Sequence, residues 1–222
     1  MEPVISNFLR KSICRFGFGK NPKVFGIGRN KTGTTSLEAA LVSLGYRVAP
    51  TREGECLFDD WTQGRFAAVK RLCKSYDAFQ DIPFSFPGSY EILDQMFPGS
   101  KFVLTVRDLD KWFQSLVRFH SKLFGNGKQP TWEDLEAATY RRRGFIADCQ
   151  RFVYEADTYG LYDEEHYKAV CQRQIETARE YFRNRSDQFL EIDVSEEGSF
   201  QRLCGFLGQE SDDTKFPWEN KT

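Results

Sequence analysis

Val24-Phe25-Gly26-Ile27-Gly28-Arg29-Asn30-Lys31-Thr32-Gly33-Thr34-Thr35-Ser36 is a short apolar run that breaks into glycines, hydroxyls and one lysine. Val24 to Ile27 has the length and composition of a buried strand. Gly28 to Gly33 form a turn in which the backbone can come close to an anion. Thr34 opens a helix whose first N–H groups have no partner inside it. Strand, glycine turn and helix in this order read as a phosphate-binding loop.

The same alternation continues downstream. Leu37, Ala40, Leu41 and Leu44 stand at helical spacing and Gly45 follows as a cap. Tyr46 to Ala49 reads as a second strand, and residues 50 to 60 as a loop at the edge of the site. A helix carrying Phe66, Val69 and Cys73 leads to a short strand at Ala78-Phe79, which ends in Gln80-Asp81-Ile82-Pro83. Phe84 to Gly99 holds one helix between turn signals. Lys101 to Val106 is a buried strand, followed at once by Arg107-Asp108 and an amphipathic helix with Trp112, Leu116 and Phe119.

Strands that alternate with helices predict a three-layer α/β/α sandwich around a central parallel sheet. Beyond Gly125 the chain turns mainly helical. Thr131-Trp132-Glu133-Asp134 offers a helix start, and Tyr167, Cys171, Ile175, Ala178 and Phe182 mark a long amphipathic helix. Phe189 to Ile192 is the last strand, and Phe200, Leu203 and Leu207 the last helix, capped by Gly208.

Composition bounds the function. The 222 residues, 40% hydrophobic and with 21 Phe, can fill the core of a single domain spanning 1–222. Residues 1–20 read as an N-terminal amphipathic extension. A net charge of −1 supplies no global field for nucleic acid or an anionic membrane. The 6 cysteines form no C-x-x-C pair and only 2 histidines accompany them, which argues against a metal site. No secretory signal is visible and no apolar run approaches the ~20 residues a transmembrane helix needs. Reduced thiols and a cytoplasmic location are expected.

The loop has the two glycines of the Walker A pattern, Gly28 and Gly33, but Thr34 stands where the lysine belongs and Lys31 precedes the second glycine. A P-loop NTPase-like fold is therefore expected without ordinary nucleoside-triphosphate hydrolysis. Lys31-Thr32-Gly33-Thr34-Thr35 resembles the first loop of the sulfotransferases that use 3′-phosphoadenosine 5′-phosphosulfate (PAPS). The resemblance implies that Thr32, Gly33, Thr34, Thr35 and Ser36 hold the 5′-phosphosulfate. It also implies that Lys31 neutralises the leaving phosphate, with 3′-phosphoadenosine 5′-phosphate (PAP) as product and no metal.

Further matches support the resemblance. Arg107 and Ser115 have the spacing of the family's arginine and serine that bind the 3′-phosphate. Asp81, in Asp81-Ile82-Pro83, occupies the place of the family's general base, and a carboxylate there can accept the proton of an attacking hydroxyl or amine. His120 is the second candidate base. Phe216-Pro217-Trp218-Glu219-Asn220-Lys221-Thr222 is similar to the closing segment of a bacterial-type branch, which implies Lys221 near a phosphate. The chain departs from the cytosolic enzymes in having Ser36 in place of the tryptophan that stacks on adenine, and in lacking their C-terminal Arg-Lys-Gly run.

Two other readings remain at this point. One is a P-loop kinase or related nucleoside-triphosphate enzyme with Asp193 holding magnesium; the other is a nucleotide-binding protein without turnover. The expected acceptor is a small molecule or glycan, and a homodimer is left open. Loops 50 to 65 and 121 to 165, with Phe84, Phe86, Trp132 and Tyr140, are expected to line its site. Arg141-Arg142-Arg143 offers either an anion-attracting patch or a solvated helix face.

Overall fold

The structure is a computed structural model that describes residues 22–217. The N-terminal extension and Lys221 lie outside the described residues. Four parallel strands, β1 (Val24–Gly26), β2 (Ala78–Phe79), β3 (Lys101–Thr105) and β4 (Phe189–Ile192), form one sheet in the order β2-β1-β3-β4. Val24 pairs with both Ala78 and Lys101, and Phe102 pairs with Phe189, which fixes the register across the sheet.

Strand side chains alternate between faces. Phe25, Phe79, Phe102 and Leu104 enter one core, whereas Val24, Ala78, Val103 and Ile192 enter the other. The first face carries a stack of rings: Phe25 lies 5.1 Å from Phe79 and 5.6 Å from Phe102. It is covered by α4 (Phe66–Ser75), α5 (Ser89–Met96), α6 (Leu109–Phe124) and α10 (Glu164–Tyr181). The second face is covered by α1 (Thr34–Ser43) and α11 (Ser199–Leu207), through Leu37, Leu41, Phe200 and Leu203. This is the expected three-layer sandwich. Among the described residues no helix is long and apolar enough to cross a membrane.

Three local expectations differ. Tyr46 to Ala49 contributes one bridge, Val48 to Ala78, because Pro50 turns the chain away after Ala49 donates to the Ala78 carbonyl at 2.9 Å. Residues 50 to 65 contain two short helices, α2 (Thr51–Glu55) and α3 (Phe58–Thr62). Residues 121 to 165 contain α7 (Trp132–Ala137), α8 (Phe145–Tyr154) and α9 (Ala156–Tyr159). Five-residue helices are too short to show a period. In α8 the sequence Phe-Ile-Ala-Asp-Cys-Gln-Arg-Phe-Val-Tyr is buried on several sides, so its polar face is too narrow to read. The start expected at Thr131 does exist as a capping box, in which Thr131 and Asp134 satisfy each other's backbone N–H groups.

Candidate active site

The strand order changes direction between β1 and β3, and the loop that follows β1 lies at this switch point, where parallel sheets open a crevice. Gly28 is required by contact. A Cβ there would stand 2.0 Å from Thr105 Oγ1 and 2.5 Å from the Thr105 carbonyl. Gly33 is required by conformation, with φ 101°, and its Cβ would also meet Val194 Cγ2 at 2.4 Å.

Between them the loop is held by β3 and α6. Thr32 Oγ1 bonds Thr105 Oγ1 at 2.6 Å, Trp112 Nε1 donates to the Asn30 carbonyl at 3.0 Å, and Arg107 Nη1 donates to the Lys31 carbonyl at 3.2 Å. Lys31 itself has a left-handed backbone, φ 68°. The helix α1 that follows has no side-chain cap, so the N–H groups of Thr34, Thr35 and Ser36 are left for an anion.

A cavity of about 300 Å³ opens at this helix end. Lys31, Gly33, Thr34, Thr35 and Ser36 line it from the loop, Arg107 and Ser115 from the β3 end and α6, and Asp81 from the β2 end. Of the residues that the sulfotransferase resemblance assigned to the donor and to catalysis, Thr32 is the one among those described that does not line this cavity. Its hydroxyl is committed to Thr105 and to the Arg29 carbonyl.

The charges of the site act on one another. Lys31 titrates lower than an ordinary lysine, first because it is partly buried, then because Arg107 and Arg118 repel its charge; Asp81 opposes the shift. Its Nζ stands 4.1 Å over the Phe119 ring. Among the described residues neither Lys31 nor Arg107 has a carboxylate within ion-pair distance. Asp81 titrates higher than an ordinary carboxyl because burial penalises its charge; the Ile82 N–H, 2.9 Å from Oδ1, and the Lys31 ammonium offset this in part. Its φ of 63° is a conformation that aspartate tolerates better than most residues. His120 is pushed down to about 4 by burial and by Lys31, and its Nδ1 lies 2.9 Å from the Tyr162 hydroxyl. It lines the same cavity.

The wall away from the loop comes from α6 and α8. Leu116, Leu123, Phe124, Ile146 and Val153 make it apolar, with Gln150 and Tyr154 at one end. Of the aromatic residues expected there only Tyr140 takes part. Phe84 and Phe86 are buried in the core, where each packs on other rings, and Trp132 packs against Arg151. Glu55, at the end of α2, lines the cavity with its carboxylate bonded to Arg141 and to Tyr140. Arg142 pairs with Asp59 at 2.9 Å and with Asp148 at 2.6 Å. Two members of the arginine run are thus ion-paired, and they strap the segment before α8 onto α2 and α3.

Sequence reasoning assigned nothing to Arg29 or Glu55, although both line the cavity. Arg29 stands inside the quoted loop, and no spacing rule marks it. Asp193, the magnesium ligand of the kinase reading, accepts from the N–H and Oγ of Ser195 in its own turn and does not line the cavity. Among the described residues no group of three or more His, Cys, Asp or Glu is gathered for a metal.

The sulfotransferase domain family matches residues 23–222. A crystal structure of a sulfotransferase from Alicyclobacillus acidocaldarius superposes with a TM-score of 0.53 at 17% sequence identity, over 90% of this chain and 87% of that one. At that identity the likeness concerns the fold. No curated protein matches the chain. With the family matched over nearly its whole length, and with a parallel sheet that delivers the loop and its cations to one cavity, the chain belongs to the sulfotransferase domain family.

Proposed function

We propose that the protein transfers a sulfuryl group from PAPS to a hydroxyl or amine of an acceptor. The observation that carries this reading is that Lys31 and Asp81 line one cavity at the uncapped N-terminus of α1, close enough for each to shift the other's titration.

The donor supplies an activated sulfuryl group whose transfer leaves negative charge on its 5′-phosphate. The N–H groups of Thr34, Thr35 and Ser36 hold that phosphosulfate, and the Lys31 ammonium stabilises the charge as it develops. Arg107 and Ser115, one guanidinium and one hydroxyl, hold the 3′-phosphate. Two cations without a carboxylate partner among the described residues, beside an uncapped helix end, fit a nucleotide with two separate anionic groups. Asp81 takes the proton from the acceptor as the new bond to sulfur forms and the bond from sulfur to the phosphate oxygen breaks. Its raised titration suits a base, since a carboxylate that holds a proton more readily removes one more effectively.

Calorimetry on the full chain with PAP and with ATP tests the reading. PAP should bind in the absence of any divalent metal and more tightly than ATP; equal or tighter binding of ATP overturns it.

A further inference from the structure

The Arg29 side chain lines the cavity and is only 5% exposed. Its guanidinium carbon stands 5.6 Å from the centre of the Tyr154 ring, and Nη1 reaches the Ser85 carbonyl at 3.5 Å, the outer limit of a hydrogen bond. Nε and Nη2 have no acceptor, and no carboxylate among the described residues lies within ion-pair distance. A guanidinium keeps its charge inside a protein, and a buried charge without a partner is among the costlier features a fold can carry.

The groups nearby do not remove that cost. Glu55 is bonded to Arg141, and Asp81 is charge-coupled to Lys31. A chamber of about 10 Å³ lined by Arg29, Arg107 and Gln174 among others has room for roughly one water. Water carries no charge, so the guanidinium still lacks a counter-ion. The counter-ion is therefore a property of what enters the cavity.

The donor's phosphates already have their own cations and N–H groups, contributed by Lys31, α1, Arg107 and Ser115. The Arg29 guanidinium is turned toward the Ser85 carbonyl and the Tyr154 ring, and Tyr154 belongs to α8, whose apolar side chains line the cavity. Resting on the sulfotransferase reading, we propose that the acceptor is an apolar molecule with two polar ends. One end is the hydroxyl or amine that meets Asp81; the other is a carboxylate or comparable oxyanion that Arg29 holds.

The test uses the full chain saturated with PAP. A series of 4-hydroxyphenyl carboxylic acids with one to four methylenes before the acid, and the corresponding primary amides, is titrated by calorimetry. At least one acid should bind roughly 10- to 100-fold more tightly than its amide, the range of one charge-assisted contact. Arg29→Gln should bring that ratio to about one, and Arg29→Lys should keep part of it. The affinity of Arg29→Gln for PAP should stay within about threefold of the unsubstituted chain, as expected for intact donor binding.

Equal binding of acid and amide, no binding by any acid, or a ratio that survives in Arg29→Gln overturns the proposal. So does a loss of PAP affinity without change in the ratio, which would assign Arg29 to the donor. Failure of PAP to bind the unsubstituted chain sinks the sulfotransferase reading instead, and the acid and amide comparison repeated without nucleotide still reads Arg29 alone.

Discussion

Arg107 donates from Nη1 to the backbone carbonyl of Lys31 at 3.2 Å, so the guanidinium proposed for the 3′-phosphate also braces the left-handed residue that carries the ammonium. The two roles separate by substitution. Arg107→Ala should reduce the preference for PAP over AMP by roughly 10- to 100-fold and also lower turnover, because Lys31 loses its brace. Ser115→Ala should reduce the preference without the turnover loss. Calorimetry with both nucleotides and steady-state rates distinguish the two; unchanged selectivity in Arg107→Ala rules the assignment out.

Lys31→Met should cost about 100- to 1000-fold in turnover, the scale of removing one donor aimed at a developing charge. The charged form is the active one, and burial together with Arg107 and Arg118 makes the ammonium easier to deprotonate. The rate profile of the ligand-free enzyme, kcat/KM against pH, should therefore fall on the alkaline side below the ordinary lysine value of 10.5. A profile flat through that region would show that the ammonium is not needed.

Asp81→Asn should lower turnover by about 100- to 10000-fold while PAP still binds. The acid limb of kcat/KM should lie above the ordinary carboxyl value of 3.8. The native state here holds its proton more tightly than the unfolded chain, so stability falls as pH rises from 3.8 through the raised native value. Asp81→Asn should accordingly melt higher than the parent near pH 7, with the gain vanishing at or below pH 3.8. A lower melting temperature at pH 7 contradicts the burial argument.

His120 has the opposite sign. Its native value of about 4 lies below the ordinary 6.5, so the unfolded chain binds the extra proton first and stability is lost as pH falls from 6.5 to 4. His120→Gln, which retains a hydrogen-bonding group for Tyr162, should flatten melting temperature against pH in that window. If the two curves run parallel, another group carries the acid sensitivity. Turnover that survives Asp81→Asn but disappears in His120→Gln would move the base to His120.

Gly28→Ala places a methyl 2.0 Å from Thr105 Oγ1 and 2.5 Å from its carbonyl, a contact that only backbone movement relieves. A loss of about 3 kcal/mol or more in urea unfolding is expected. Gly45→Ala is the control: that position has open space around its Cβ, and its cost comes from φ 85° alone.

The sheet and the loop were legible because both are written in local pattern. Four apolar runs of strand length gave β1 to β4, and the glycine spacing gave the turn. Asp81 and Arg107 were found through the family resemblance, which the nearby strand ends made easy to align. The apolar wall was legible only as the span 121 to 165, and its individual residues were not, for the converse reason. Ile146 and Val153 lie on a helix buried on several sides, and Leu116, Leu123 and Phe124 read as ordinary core positions of α6. Phe84 and Phe86 have the composition of a ligand wall, but the turn after β2 packs Phe84 on Phe25 and Phe79, and Phe86 on Phe58 and Phe152. Arg29 and Glu55 gain their meaning only from what surrounds them in space, a missing partner in one case and Arg141 in the other.

Each strand is followed at the same offset by a residue that lines the cavity or shapes its loop. Gly28, Asp81, Arg107 and Val194 all stand two residues beyond the last residue of β1, β2, β3 and β4. In a parallel sheet these four positions emerge at the same end, with Gly28 level with Thr105 and Arg107 two residues farther out, while most of the apolar lining of the cavity comes from α6 and α8. The molecule is thus divided into a part that sets the reaction and a part that sets what undergoes it. On the proposed reading, redesign toward a new acceptor belongs at Leu123, Phe124, Ile146 and Val153, where side chains can be exchanged without touching the strand ends that carry Lys31, Asp81 and Arg107.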